Sequence, residues 1–401
     1  MTVAGGEAIE RPEARGEERR AAGVACGAHA LHDGYTDLIV LMLPIWQAEF
    51  GLGYGELGLM RGLFAGTMAA FQIPAGLVAE RLGTPVVLAG GTALAGLGYC
   101  LAGASSGFAL LLALIIGGLG ASTQHPLASA LMARAFAGAR SMKALGTYNF
   151  AGDIGKMTVP AVASVMLVAM PWRPVLALIG ACGLVAAAAI YLLTPRYGAE
   201  RKSAAETVTA DVATSGARSR LAYPVLVSIG VLDSATRMGF LLFLPFVLTE
   251  KGASLPTVGL ALTLVFAGGA AGKLVCAFIG ARIGAIATVW LTEGLTAAVI
   301  VALLPLPLEA ALVLLPLIGI ALNGTSSVLY GSVPDLVSPE WRARAFSIFY
   351  TGTIGSGAIA PALYGVVGDL LGVPAALMVV AGVVTLTLPL SLALRPALAR
   401  R

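Results

Sequence analysis

Laid over itself at an offset of 201 residues, the sequence repeats. Glu49-Phe50-Gly51 falls on Glu250-Lys251-Gly252, Gly58-Leu59 on Gly259-Leu260, and Arg81-Leu82-Gly83 on Arg282-Ile283-Gly284. Gly118 falls on Gly319 and Pro160 on Pro361, while near the start an offset of 200 sets Asp33-Gly34-Tyr35-Thr36 on Asp233-Ser234-Ala235-Thr236. A register held through most of each half means two copies of one unit. The chain must therefore fold as two related halves.

Each copy is built of long apolar runs. The chain is 58% hydrophobic and 11% charged, whereas a soluble domain is about one quarter charged. A membrane-spanning helix needs about 20 mostly apolar residues. Twelve such runs start near Val24, Leu57, Val86, Phe108, Lys143 and Pro174, then near Tyr223, Thr257, Ala285, Ala310, Arg344 and Pro374. The expected fold is an all-α membrane protein, twelve transmembrane helices in two six-helix pseudo-symmetric halves. Apolar residues run on without alternating, which excludes a transmembrane barrel. Residues 1–22 read as a disordered tail, 23–194 as the first bundle, 195–221 as a polar linker, 222–395 as the second bundle and 396–401 as a second tail.

Basic residues fix the expected orientation. Arg15, Arg19, Arg20, Arg81, Arg134, Arg140, Lys143, Arg196, Arg201, Lys202, Arg282, Arg342, Arg344 and Arg395 fall on one side. Glu49, Glu56, Glu309 and Asp369 fall on the other, with Arg173 and Lys251 as exceptions. The positive-inside rule puts both termini, the tails and the linker in the cytoplasm. The net charge of +4 then reflects topology, and the partner it implies is a lipid bilayer rather than nucleic acid. Cys26, Cys100, Cys182 and Cys276 are far apart and suggest neither a metal site nor a disulfide framework.

Ionisable groups inside membrane helices are costly and mark functional sites. The first helix carries His29, His32, Asp33 and Asp37, with positions 29, 33 and 37 on one face. The fourth carries Gln124 and His125, and the fifth Asn149, Asp153 and Lys156. The seventh carries Asp233 and Arg237, and the tenth Asn323, Thr325 and Ser326. At 1.5 Å per residue these groups lie ~12–20 Å deep, around the midplane of the bilayer. A duplicated transporter places its substrate there. Asp153 with Lys156, and Asp233 with Arg237, also have spacings at which they could simply neutralise each other. Asp37 and Arg237 occupy equivalent places in the two halves with opposite charge, so a pair between the halves, made in some conformations and broken in others, is expected to act as a gate. Arg61 is expected to snorkel at the outer end of its helix. Glu293 has no partner visible in the sequence.

The whole pattern resembles the major facilitator superfamily. Gly76-Leu77-Val78-Ala79-Glu80-Arg81-Leu82-Gly83 is similar to that superfamily's loop signature G-x-x-x-D-[RK]-x-G, with Glu80 in place of Asp. Within it, the first half resembles transporters of the fosmidomycin-resistance type. The stretches that match are His29-Ala30-Leu31-His32-Asp33, Pro44 with Glu49-Phe50, Gly118 to Pro126, and Tyr148-Asn149-Phe150-Ala151-Gly152. Asp153 and Lys156 depart from that type. The resemblance implies a proton-driven efflux pump of the bacterial inner membrane, monomeric, acting on a phosphonate drug or another compound, with no cofactor beyond the proton gradient. It also gives the loop residues Gly76, Glu80, Arg81 and Gly83 a gating role.

Asp33 or Asp37 is the expected proton carrier, with His32 and His125 as relays. Lys156, Arg237 and His125 favour an anionic substrate, and Asp153, Asp233, Asn149, Gln124, Asn323 and Ser326 complete the expected binding set. Proton-symport uptake of an anion is the rival in the same fold. A non-transporting receptor or scaffold is the rival of another class. No nucleotide-binding loop or Ser/His/Asp arrangement supports an enzyme.

Overall fold

The computed structural model describes residues 12–105, 107–136, 139–196, 221–338 and 341–398. The first half comprises α1 (Pro12–Phe50), α2 (Tyr54–Leu82), α3 (Thr84–Ala104), α4 (Phe108–Ala121), α5 (Gln124–Ala135), α6 (Ala139–Ala169) and α7 (Trp172–Leu193). The second comprises α8 (Ala222–Glu250), α9 (Leu255–Ile283), α10 (Ala285–Leu303), α11 (Leu308–Leu336), α12 (Arg342–Leu371), α13 (Val373–Thr385), α14 (Thr387–Leu392) and α15 (Arg395–Leu398). Among the described residues, eleven stretches are long and apolar enough to cross a membrane, with α4 and α5 forming one and α13 and α14 another. The twelfth expected span is the apolar part of α1, which His29, His32, Asp33 and Asp37 make too polar to qualify. Ile73, Val168, Val185, Leu192, Val313 and Leu370 project outward from both halves, as a lipid-facing belt requires.

The duplication is written into the backbone. Gly51 and Gly252 both turn with positive φ, as do Gly83 and Gly284 at 88° and 83°. Glycine alone takes that conformation without steric cost. Pro44 inside α1 is matched by Pro245 inside α8, and Pro160 inside α6 by Pro361 inside α12. Symmetry fails at the fourth span: Ser122 and Thr123 interrupt it between α4 and α5, while its counterpart α11 is continuous. Pro126 follows the interruption, and its missing N–H suits the first turn of a new helix.

One expected boundary shifts. Helix α1 starts at Pro12, inside the stretch 1–22 read as a disordered tail. Pro12 suits a first helical position, Glu17 to Arg20 are strong helix formers, and Glu18 pairs with Arg140 of α6 at 3.2 Å. Residues 1–11, linker positions 197–220 and tail positions 399–401 lie outside the described residues.

Within each half, α1 packs on α6, α3 on α4 and α7, α8 on α12, and α9 on α11. The halves meet along two seams, α2 against α12 and α6 against α9. At the end remote from the chain termini, here the far end, both seams are tight. Every residue from Leu38 to Leu43 of α1 and from Phe240 to Leu248 of α8 is buried, so these helices are enclosed on all sides. A Cβ on Gly58 of α2 would run into the Pro361 carbonyl of α12, an approach that only glycine allows. Asp369 of α12 accepts from the Tyr54 and Gly55 amides at 2.6 and 2.9 Å, capping the start of α2 from the opposite half. Towards the termini, α1 and α8 each keep one partly or fully exposed face. The molecule is closed at the far end and opens towards its termini.

Candidate functional site

Close approach of α1 and α6 builds the first part of the site. Gly155 lies so near Ala30 that a Cβ there would meet the Ala30 carbonyl. That contact lets Asp33 of α1 reach Lys156 of α6, Oδ2 to Nζ 3.2 Å. All three histidines of the chain converge on the same carboxylate. His29 Nε2 is 3.4 Å from Asp33 Oδ2, and His32 Nε2 is 3.9 Å from Oδ1. The broken fourth span brings His125 edge-on to both rings, with centroids 5.2 and 4.8 Å away. His29 is fixed by Tyr148, which stacks on it at 4.0 Å and whose carbonyl lies 2.8 Å from Nδ1. His29, Asp33 and His125 set ligand atoms within 4.8 Å of one another, a spacing suited to a metal ion. The Lys156 ammonium already sits on Oδ2, the same carboxylate oxygen that His29 faces, and a cation would have to displace it.

The second part crosses the seam between α6 and α9. Asp153 binds Lys273 of α9 through both oxygens at 2.7 Å, and its Oδ1 is 3.9 Å from Lys156. Lys273 is absent from the sequence-derived set. It signals itself as a lone charge deep in an apolar span, but nothing near it in sequence indicates a partner. Two lysines from different halves thus share one carboxylate.

Two expectations are corrected, the snorkelling of Arg61 and the pairing of Asp233 with Arg237, and the expected gate pair is unmade in this form. Asp37 does not meet Arg237 across the halves. It pairs with Arg61 of α2, Oδ1 to Nη2 3.8 Å, because both are buried on facing sides of one half. Arg61 therefore does not snorkel: it is 4% exposed, and its Nη1 donates to Met238 Sδ of α8 at 2.9 Å. Asp233 forms no ion pair with Arg237 among the described residues. It turns to Glu293 of α10, and the two carboxyl groups are in hydrogen-bond contact. Arg237 donates instead to Asn323 Oδ1 at 3.4 Å, and Ser326 Oγ donates to the Asn323 carbonyl at 3.0 Å.

Gln124 is buried beside His32, lining a small cavity with Tyr35 and Thr92. Asn149 is exposed on α6, outside these contacts. Gly76, Glu80 and Arg81 occupy the last turns of α2, with Glu80 and Arg81 exposed, and Gly83 makes the turn into α3. The arrangement joins a histidine–carboxylate cluster, a lysine-rich crossing between the halves and a carboxyl pair in the second half. Such a set can hold protons or small ions.

Comparison with known proteins bears on the architecture. The family model described as Major Facilitator Superfamily matches residues 25–232 and 226–400. The "Probable L-galactonate transporter" of Escherichia coli (strain K12) is 24% identical over 275 residues, 65% of this chain and 58% of that protein. The "Fosmidomycin resistance protein" of the same organism is 28% identical over 141 residues, 35% of this chain and 34% of that protein. The chain thus covers less than two thirds of the length of either curated relative. Among solved structures, a bacterial homologue of the human lysosomal transporter Spinster, inward-facing and occupied, superposes with a TM-score of 0.77 at 14% identity, covering 96% of this chain and 98% of that one. A mutant of the nucleoside transporter NupG gives 0.76 at 15% identity, covering 94% and 99%. At such identities the likeness is one of fold.

Proposed function

This chain belongs to the Major Facilitator Superfamily, and on that footing we propose that it is a proton-coupled secondary transporter exporting a small anionic compound by alternating access. It is a multi-pass membrane transporter rather than an enzyme. The observation that carries the anion reading is the crossing of Lys156 and Lys273 on Asp153, with lysine side chains 28% and 38% exposed between the halves. An incoming carboxylate or phosphonate can replace Asp153 at these ammonium groups. Arg237, whose Nε has no hydrogen-bond partner among the described residues, adds a guanidinium of the kind that binds such oxygens. The relative named for L-galactonate supports an organic anion as cargo, and the relative named for fosmidomycin resistance supports export.

The excess of basic residues on the terminal side supports cytoplasmic termini in a bacterial inner membrane. In that orientation the closed far end makes this an inward-facing form, ready to load from the cytoplasm. Asp33 and Asp37 are the proposed proton carriers of the first half, exchanging their cations for protons as the seams move, with His32 and His125 beside Asp33 as relays. Both seams lie within one chain, which supports a monomer as the transporting unit.

The test is proton flux in proteoliposomes loaded with a pH dye, under an imposed proton gradient, with a phosphonate or a sugar-acid carboxylate added. Anion-evoked flux is expected in the parent and is expected to be lost in Lys156→Ala and Lys273→Ala. Flux evoked by organic cations alone would reverse the substrate assignment.

A further inference from the structure

Charge accounting at mid-depth separates the two halves. Among the described residues, the buried carboxyl groups there are Asp33, Asp37, Asp153, Asp233 and Glu293. The permanent cations at that depth are Arg61, Lys156, Arg237 and Lys273. In the first half and its seam the signs balance: Asp33 takes Lys156, Asp37 takes Arg61 and Asp153 takes Lys273. The second half does not balance. Two carboxyl groups touch there, and Arg237 is the one permanent cation set against both.

Both groups are enclosed, Asp233 at 3% and Glu293 at 1% exposure, and Glu293 Oε1 meets no donor among the described residues. Two ionised carboxylates in contact in a dry interior repel and lose their hydration together. A single proton removes both costs. The neutral acid donates to its neighbour, and Arg237 offsets the charge that remains.

Among the described residues the surroundings offer no other free cation: Lys273 of α9, a helix that packs on both α8 and α10, is held by Asp153. Helix α11 brings Thr325, whose hydroxyl donates to Thr292 of α10 at 2.6 Å. Its ionisable residues Glu309, Tyr330 and Asp335 lie near its ends, away from that depth. Helices α13 and α14 contain no ionisable residue, and α12 sets the Tyr364 ring against Gly239, beyond Arg237 along α8.

We propose that Asp233 and Glu293 form a proton seat in the second half of the molecule, two carboxyl groups holding one proton between them. Its occupancy follows from the geometry, and its part in the transport cycle rests on the proton-coupled reading above.

Infrared spectroscopy of the purified full chain in detergent at pH 7, in H2O and D2O, reads the seat without any transported compound. The parent is expected to show the carbonyl stretch of a protonated carboxylic acid, shifted down in D2O. Glu293→Gln and Asp233→Asn are each expected to lose that band while melting near the parent temperature, because either leaves one carboxylate opposite Arg237. The two variants are reciprocal, so one that folds poorly is replaced by the other. Absence of the band in the parent would overturn the seat, and so would its persistence in the variants that fold. Loss in Asp33→Asn with retention in Glu293→Gln would place the proton in the first half and overturn it equally. A missing band accompanied by stabilisation with Na+ but not K+ would make the pair a sodium site instead. Failure of anion-evoked flux would leave the band untouched, so the two readings fail separately.

Discussion

Asp153 stands between two ammonium groups that belong to different halves of the molecule. Removing either end of a buried ion pair leaves a charge without compensation, at a cost of ~3–5 kcal/mol when burial is complete. Solvent reaches more than a third of the Lys273 side chain, so the cost here is smaller. Asp153→Asn and Lys273→Met are each expected to lower the melting temperature in detergent. Their combination should lose less than the sum of the two, with a coupling of about 1 kcal/mol. Strictly additive losses would mean that the pair is incidental. The sequence marks Asp153 as a site residue because a charge inside a membrane helix is costly, and it offers Lys156, one turn away, as a neutralising neighbour. Lys273 obeys the same rule of costly intramembrane charge, yet its partner is 120 residues distant. Asp37 with Arg61 and Asp233 with Glu293 were hidden for the same reason: each pair depends on how two helices are rotated against each other.

At the scale of elements, local chemistry was readable and helix rotation was not. Glycines at positive φ, prolines inside helices and apolar run lengths are properties of short stretches, and the structure repeats them in both halves. The break between α4 and α5 is likewise local, resting on Ser122, Thr123 and Pro126. The crossing of α1 and α6 instead depends on one missing methyl group. Gly155→Ala would drive a Cβ into the Ala30 carbonyl, and overpacking of this kind costs about 1–3 kcal/mol. The variant should melt earlier than the parent. Its added methyl should also push α6 away from α1 and lengthen the contact between Lys156 and Asp33, so anion-evoked flux should fall too. An unchanged melt would show that the helices can part without loss.

For the whole molecule, the two seams decide which end is open. The far end is held by apolar enclosure of α1 and α8, by the glycine contact of α2 with α12, and by the Asp369 cap. Asp369→Asn keeps one acceptor but loses the charge that favours a helix N-terminus. Weakening such a cap costs about 1 kcal/mol, or roughly a five-fold shift in a two-state ratio. The far end should then open about five times more often, measured as faster hydrogen exchange across Tyr54 to Leu57. Exchange equal to the parent's would show that apolar packing alone holds the seam.

The cap also gives the molecule an internal clock. Because the acceptor for the Tyr54 and Gly55 amides belongs to the opposite half, each parting of the halves at the far end strips two named N–H groups of their bonds and each return restores them. Deuterium uptake at these two amides therefore records the time the far end spends open, in the unlabelled chain and before any cargo is identified.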